Sequence, residues 1–199
     1  MGVDVIDKLR EDIVFRDTLR EQALSFHSTW GLFSPREIDE GTRLLLERIE
    51  VNPGDDCLDL GCGYGAIGLT LAKLAPQGHT TLVDKDFVAI QYCRKNIELN
   101  HLVNAEALLS NGFDAIHERS FDVIASNIPA KVGNELMSLF FYDAYQQLKP
   151  GGRLYVVTIN GLRDYIKRVF KERFGNYTKL KQGKNYSVAL ATKDVTSRG

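Results

Sequence analysis

The sequence predicts an α/β fold built on a largely parallel sheet, and three observations carry that expectation. From residue 55 onward, short apolar runs alternate with helix-length amphipathic segments, the pattern of strand-helix-strand units. A glycine-rich turn, Gly61-Cys62-Gly63-Tyr64-Gly65, lies where the first buried run gives way to a helix. The chain closes on two strand-like runs, 176–181 and 186–192, parted by Gly183 and Lys184, which together read as a hairpin.

Within the alternating region, strands are expected over residues 57–60, 80–84, 105–109, 121–126 and 153–158. Helices are expected over 66–75, 87–100, 135–148 and 162–174. Upstream, Val5, Ile6, Leu9, Ile13 and Leu19 recur at near-helical spacing among charges, which predicts an amphipathic helix over roughly residues 3–22. Leu24, Phe26, Ser28 and Trp30 then alternate with other residues as a short extended segment would, ending at Gly31. Ser34-Pro35-Arg36-Glu37 has the serine, proline and glutamate of a capping box, so a further helix is expected from there to about residue 50.

The 199 residues are read as one domain, 1–199, with 1–30 as an N-terminal helix and short extended segment. A chain of this size buries about 70% of its unfolded surface and can support its own core. The 44% hydrophobic and 26% charged residues are those of an ordinary globular protein. No apolar run approaches the roughly 18 residues a membrane-spanning helix needs, and Met1-Gly2-Val3-Asp4 lacks the regions of a signal peptide, so a cytoplasmic location is expected. Cys57, Cys62 and Cys93 are odd in number and give no chelating pattern; reduced buried thiols and no metal are expected. Net charge is −1, yet from residue 147 onward twelve Lys and Arg stand against three Asp and Glu. A solvated face and an electrostatic footprint for the phosphates of RNA both remain open.

Alternate glycines in the 61–65 turn permit positive φ and leave no Cβ between backbone and ligand, while the amides at the following helix start face whatever binds. The second strand ends at Asp84, where a carboxylate can accept both hydroxyls of a ribose. The run Gly63-Tyr64-Gly65-Ala66-Ile67-Gly68 also satisfies the nicotinamide dinucleotide fingerprint. Asp59, two places before the first glycine, the closing hairpin and the fifty-odd residues before the first strand favour S-adenosylmethionine instead. A glycine turn without a ligand is the remaining reading.

Asp59 to Gly65, Asp84, Ser110-Asn111, the Ser126-Asn127 strand end and Lys149-Pro150-Gly151-Gly152 resemble class I methyltransferases. More narrowly, Gly31-Leu32-Phe33-Ser34 followed by Asp39-Glu40-Gly41-Thr42 resembles the small methyltransferase domain of the small-subunit ribosomal RNA guanine-N2 methyltransferases and their single-domain archaeal relatives. The similarity runs from about Leu24 to Lys193. It implies a Rossmann-like sheet of seven strands in the order 3-2-1-4-5-7-6, the last strand antiparallel, with helices on both faces. It also implies S-adenosylmethionine as cofactor, held by Asp59, Gly61, Cys62, Gly63, Gly65, Asp84, Lys85, Asn111, Gly112 and Asn127.

The chain departs from these relatives at the loop after the fourth strand. Where amine methyltransferases of this kind carry Asn-Pro-Pro and an aromatic, it has Asn127-Ile128-Pro129-Ala130. The resemblance makes Asn127, Ile128 and Pro129 the catalytic group, because the Asn127 oxygen and the carbonyl of residue 128 can still accept hydrogen bonds from an amine. Ala130 gives up a stacking surface worth roughly 1 to 3 kcal/mol per base. Phe33, Tyr186 and Trp30 are the rings that would replace it at the substrate position, Phe33 foremost. The implied acceptor is an exocyclic amine of guanine in RNA, with a small molecule or a protein side chain as the alternative. Full-length bacterial relatives carry a further domain ahead of this one.

Overall fold

The computed structural model of the chain describes residue 6 and residues 11–129 and 133–195. Strands β1 (Ile13–Leu19) and β2 (Gln22–Ser28) come first, followed by helix α1 (Glu40–Leu46) and the alternating series β3 (Cys57–Leu60), α2 (Ala66–Leu74), β4 (Thr80–Asp84), α3 (Phe87–Leu99), β5 (Ala105–Leu109) and β6 (Phe121–Asn127). The chain continues through α4 (Asn134–Gln147), β7 (Leu148–Ile159), α5 (Arg163–Phe174), β8 (Thr178–Gln182) and β9 (Tyr186–Thr192). One sheet is the β1-β2 hairpin; the other has seven strands in the order β5-β4-β3-β6-β7-β9-β8.

Counted from β3, that order is the expected 3-2-1-4-5-7-6. β3 pairs in parallel with β4 and β6, whereas β9 runs antiparallel to both β7 and β8. All four residues of β3 are buried, as a central strand covered on both faces requires. The two-residue period then divides the core. Cys57, Val123, Ala125, Tyr155, Val157 and Val188 face one cluster with α2, α3 and the β1-β2 hairpin. Leu58, Ile124, Leu154, Val156, Ala189 and Ala191 face the other, where Phe141 of α4 meets Phe170 of α5 edge to face at 5.2 Å between ring centroids.

Two N-terminal expectations are corrected. Residues 13–19 form a strand rather than the end of a helix over 3–22; of residues 3–10 only residue 6 lies within the described residues. Arg20 and Glu21 have φ of 51° and 64°, the left-handed pair that a two-residue hairpin turn requires. Usually glycine or asparagine signals such a turn, and neither is present. The helix expected from Ser34 begins instead at Glu40, capped by Asp39, whose carboxylate accepts from Thr42 N at 3.2 Å. Ser34 has φ 46°, outside helical space, and its hydroxyl donates to the Glu37 carbonyl at 2.7 Å.

The hairpin is tied to the sheet by α3. Asn96 Oδ1 accepts from His27 N at 2.7 Å while its Nδ2 donates to His27 O at 2.8 Å. One turn later Asn100 does the same for Ser25, at 2.9 and 2.8 Å. The exposed edge of β2 is thus paired by two side-chain amides in place of a neighbouring strand. Asn96 Nδ2 also donates to Tyr64 O at 2.9 Å, and the Tyr64 ring packs edge-on against Phe15 and Phe26. The hairpin therefore braces the glycine turn from behind.

Candidate active site

The turn between β3 and α2 has φ of 78° at Gly61, 55° at Gly63 and 101° at Gly65, conformations that disfavour any side chain. A Cβ added at Gly61 or Gly63 would meet nothing within 4 Å, so their backbone is bare toward open space. Gly65, by contrast, is pressed from within: a Cβ there would lie 2.4 Å from Leu69 Cδ1. Gly65 is also the N-cap of α2 and has no side chain to cap with. Asp59 of β3 takes that task, its Oδ2 accepting from Gly68 N at 2.7 Å.

Asp59 is 1% exposed, and burial drives its carboxyl up to about 7, with the Gly68 amide opposing the rise and the neighbouring Asp84 adding to it. Its Oδ1 is buried without a hydrogen-bond partner. A carboxylate ending β4 lies closer to the ligand side: Asp84 Oδ2 accepts from Gly63 N at 2.9 Å and Oδ1 from Asp86 N at 2.9 Å. The first of these bonds locks the glycine turn against the end of β4. Burial also pushes the Cys62 thiol well above its ordinary value, which removes it as a nucleophile at neutral pH.

These turns open into a cleft of about 370 Å³ at the carboxyl ends of β3, β4, β5 and β6, the place where ligands bind in open α/β sheets. Gly61, Cys62, Gly63, Asp84, Lys85, Asn111, Gly112, Asn127, Ile128, Pro129 and Phe33 all line it. Four expected site residues do not: Asp59 and Gly65 support the turn from beneath, Tyr186 stands behind Asp39, and the Trp30 ring lies under the Arg36 guanidinium at 4.3 Å. Ala130 lies outside the described residues. Phe33 is 65% exposed, a ring at the rim. No cluster of three or more His, Cys, Asp or Glu suited to a metal lies among the described residues.

Two lining residues, both on α4, carried no recognisable signal. Leu136 and Phe140, one turn apart on α4, bring an apolar wall to the cleft, and Phe140 lies against Gly112, where an added Cβ would come 3.1 Å from its ring. Their spacing is that of any amphipathic helix. Asp39 and Thr42 also reach the cleft and meet Asn127, whose Nδ2 donates to Asp39 Oδ2 at 2.9 Å and to Thr42 Oγ1 at 3.0 Å. Ile128 N donates to Val157 O at 3.0 Å, which pins the start of the loop to β7.

The basic C-terminal quarter divides into two populations. Lys149 is tied to Asp56 and Asp122, Arg153 to Asp55, and Lys193 is buried with its ammonium on the Leu148 carbonyl at 2.8 Å. Lys167, Arg168, Lys171 and Arg173 on α5, with Lys179, Lys181 and Lys184 on β8 and its turn, are exposed. No helix among the described residues is long and apolar enough to cross a membrane.

A glycine turn bare to a cleft, on a seven-stranded sheet whose β9 is antiparallel, is the frame of S-adenosylmethionine-dependent methyltransferases, and it is the family match that sets aside the nicotinamide reading of the same glycines. The chain belongs to the Methyltransferase small domain family, which matches residues 23–190. It is 34% identical over 166 residues to Ribosomal RNA small subunit methyltransferase C of Hamiltonella defensa, covering 81% of this chain and 48% of that protein. It is 31% identical over 181 residues to Uncharacterized protein YbxB of Bacillus subtilis, covering 88% of this chain and 89% of that one. Among solved structures it is similar, with a TM-score of 0.83 and 31% identity, to a T. thermophilus 16S rRNA methyltransferase in complex with AdoMet and guanosine, over 92% of this chain and 50% of that one. The chain thus spans about half the length of the two ribosomal RNA methyltransferases.

Proposed function

We propose that the chain N-methylates an exocyclic amine of guanine in RNA, with ribosomal RNA as the substrate class. The orientation of Asn127 carries the reading. Both Nδ2 hydrogens are engaged by Asp39 and Thr42, and among the described residues no donor meets its Oδ1. Asn127 ends β6 on the cleft wall, and an amide oxygen left without a donor there suits an acceptor that arrives bearing N–H groups. The names of two similar proteins, one a ribosomal RNA small-subunit methyltransferase and one solved with guanosine, point the same way.

The residues present fit S-adenosylmethionine. Gly61 and Gly63 leave backbone exposed where a Cβ would enter open space, and Asp84 offers carboxylate oxygens on the wall for a ribose. Cys62, Lys85, Asn111 and Gly112 would complete its surroundings, with Asp59 and Gly65 shaping the turn from below. When bound, the cofactor supplies a methyl group on a positively charged sulfur and so needs little acid or base assistance.

The chain's share of the work is then alignment. Asn127 Oδ1 and the Ile128 carbonyl accept the amine hydrogens, turning the lone pair toward the methyl, and Pro129 limits the motion of that loop. Holding two reactants in line is worth roughly 7 to 11 kcal/mol. Asn127 Oδ1 also faces the positive charge that builds on nitrogen, and the surplus proton passes to water. Phe33 at the rim supplies a ring for the base in the absence of an aromatic at position 130. The exposed cations of α5 and β8 supply phosphate contacts.

Incubation with methyl-labelled S-adenosylmethionine and, separately, total cellular RNA, metabolites and proteins tests this reading. Label is expected in RNA and, after nucleoside digestion, in N2-methylguanosine. Label confined to the metabolite or protein fraction would refute the RNA reading.

A further inference from the structure

The Asn127 amide is held from outside its own strand. An amide nitrogen has two hydrogens and no lone pair to offer, and here both hydrogens are directed at oxygens of the α1 start, Asp39 Oδ2 at 2.9 Å and Thr42 Oγ1 at 3.0 Å. The flipped amide would set oxygen against carboxylate. Asp39 is held in turn: its Oδ2 also accepts from Thr42 N at 3.2 Å, and its Oδ1 accepts from the Tyr186 hydroxyl at 3.2 Å. Gly41 leaves the room for this, since a Cβ there would lie 2.9 Å from Asp39 Oδ2 and 2.9 Å from Tyr186 Cδ1. A fifth hydrogen bond, Asn185 Nδ2 to Glu40 Oε2 at 2.9 Å, fastens the β8-β9 turn to the same helix.

Two residues of the α1 start, Asp39 and Thr42, therefore meet one side chain of β6, with Gly41 and Tyr186 packed against Asp39 behind them. A cap alone would need only Asp39 and the Thr42 amide; the Thr42 hydroxyl and the glycine opposite Tyr186 go beyond that requirement. We propose that Asp39 and Thr42 are positioning residues that lock the Asn127 amide with its oxygen toward the cleft, selecting amino groups over hydrogen-free ring nitrogens as methyl acceptors. The selection rests on the reading of Asn127 as the group that meets the acceptor. Tyr186 then acts through Asp39 rather than as a stacking ring.

The polarity of the lock matters for selectivity. With its oxygen toward the cleft, Asn127 meets an N–H with a hydrogen bond and a bare ring nitrogen with two opposed lone pairs. A loosened amide rotates and presents its NH2 to either. Weakening the lock should therefore lower kcat on an amine without weakening cofactor binding.

Thr42→Val keeps the shape and removes the acceptor; Thr42→Ser restores it without the methyl group. Side-chain 15N-1H spectra of the S-adenosylhomocysteine complex, with the Asn127 pair assigned through Asn127→Asp, read the lock directly. Two slowly exchanging Nδ2 hydrogens are expected in the wild type and in Thr42→Ser, and one fast-exchanging hydrogen in Thr42→Val. Turnover on the fraction that takes label should fall about 10-fold in Thr42→Val and recover to within about 2-fold in Thr42→Ser, with the Kd for S-adenosylhomocysteine moving less than about 2-fold in both. Fast exchange of both hydrogens in the wild type, or Thr42→Val at wild-type kcat, would overturn the proposal. A protected amide alongside label in an amine-bearing metabolite or protein supports the lock while refuting RNA as the acceptor.

Discussion

The side chain of Asn96 brackets the backbone of His27, accepting from its N–H at 2.7 Å and donating to its carbonyl at 2.8 Å. Asn96 is fully buried and is the partner of both groups, which lie on a half-buried stretch of β2. Asn96→Ala strands two backbone groups of β2 and the Tyr64 carbonyl, each costing about 1 to 3 kcal/mol when buried and unpaired. The variant is expected to lose about 3 kcal/mol or more of stability in urea unfolding. Amide exchange at His27 and Phe26 should quicken more than in β6, because the hairpin is released first.

Stability should also respond to Asp59 in a defined pH window. Its carboxyl is raised to about 7 in the folded chain, mainly by burial, against about 3.9 when unfolded. Between those values the folded state holds the extra proton, so stability from this group is complete below about pH 4 and falls as pH climbs to about 7. The limiting slope is about 1.4 kcal/mol per pH unit for one proton. Asp59→Asn, which keeps an oxygen for Gly68 N, is expected to flatten the decline between pH 5 and 7 in chemical unfolding. An unchanged slope would mean that Asp59 is ionised throughout.

Asp84 offers a prediction for cofactor binding. One of its oxygens already fixes Gly63 N at 2.9 Å, so Asp84→Ala removes both the turn's anchor and the proposed ribose contact. Hydrogen bonds to a charged group are worth about 1.5 to 3 kcal/mol, which converts to a Kd for S-adenosylhomocysteine roughly 10- to 100-fold weaker. Titration calorimetry checks this, and an affinity within 2-fold of wild type would remove Asp84 from the cofactor site.

The exposed lysines of β8 and its turn give a test of RNA binding that is independent of turnover. Lys179, Lys181 and Lys184 carry no ion pair with a carboxylate among the described residues, so their replacement by alanine disturbs little else. If each meets a phosphate, the plot of log affinity against log salt for single-stranded RNA should flatten by about 2, at about 0.7 per contact. An unaltered slope would assign those charges to solvation of an edge strand.

Much of the central sheet was legible because its signals are local. The strands at 57–60, 80–84 and 105–109 were placed to the residue, since a short apolar run bounded by turn residues is complete within its own few positions. Of the hairpin at 13–28, the second strand was read as an extended segment from Leu24, but the first strand and the turn were not legible, for two reasons. Its turn is Arg20-Glu21, held left-handed without the usual glycine, and the edge of β2 is paired by Asn96 and Asn100, some seventy residues onward. Helix-spaced Val5, Ile6, Leu9, Ile13 and Leu19 were then the strongest pattern in view, although the exposure of β1 alternates with period two.

The same division runs through the site. Residue types alone determined the glycine turn, the carboxylate at the end of β4 and the asparagine at the end of β6, because backbone freedom and donor chemistry belong to each residue. Tertiary structure alone decided that Asp59 caps a helix instead of lining the cleft, and which way the Asn127 amide faces. An amide's orientation is set by the oxygens around it, and for Asn127 those oxygens come from a helix 85 to 88 residues away along the chain.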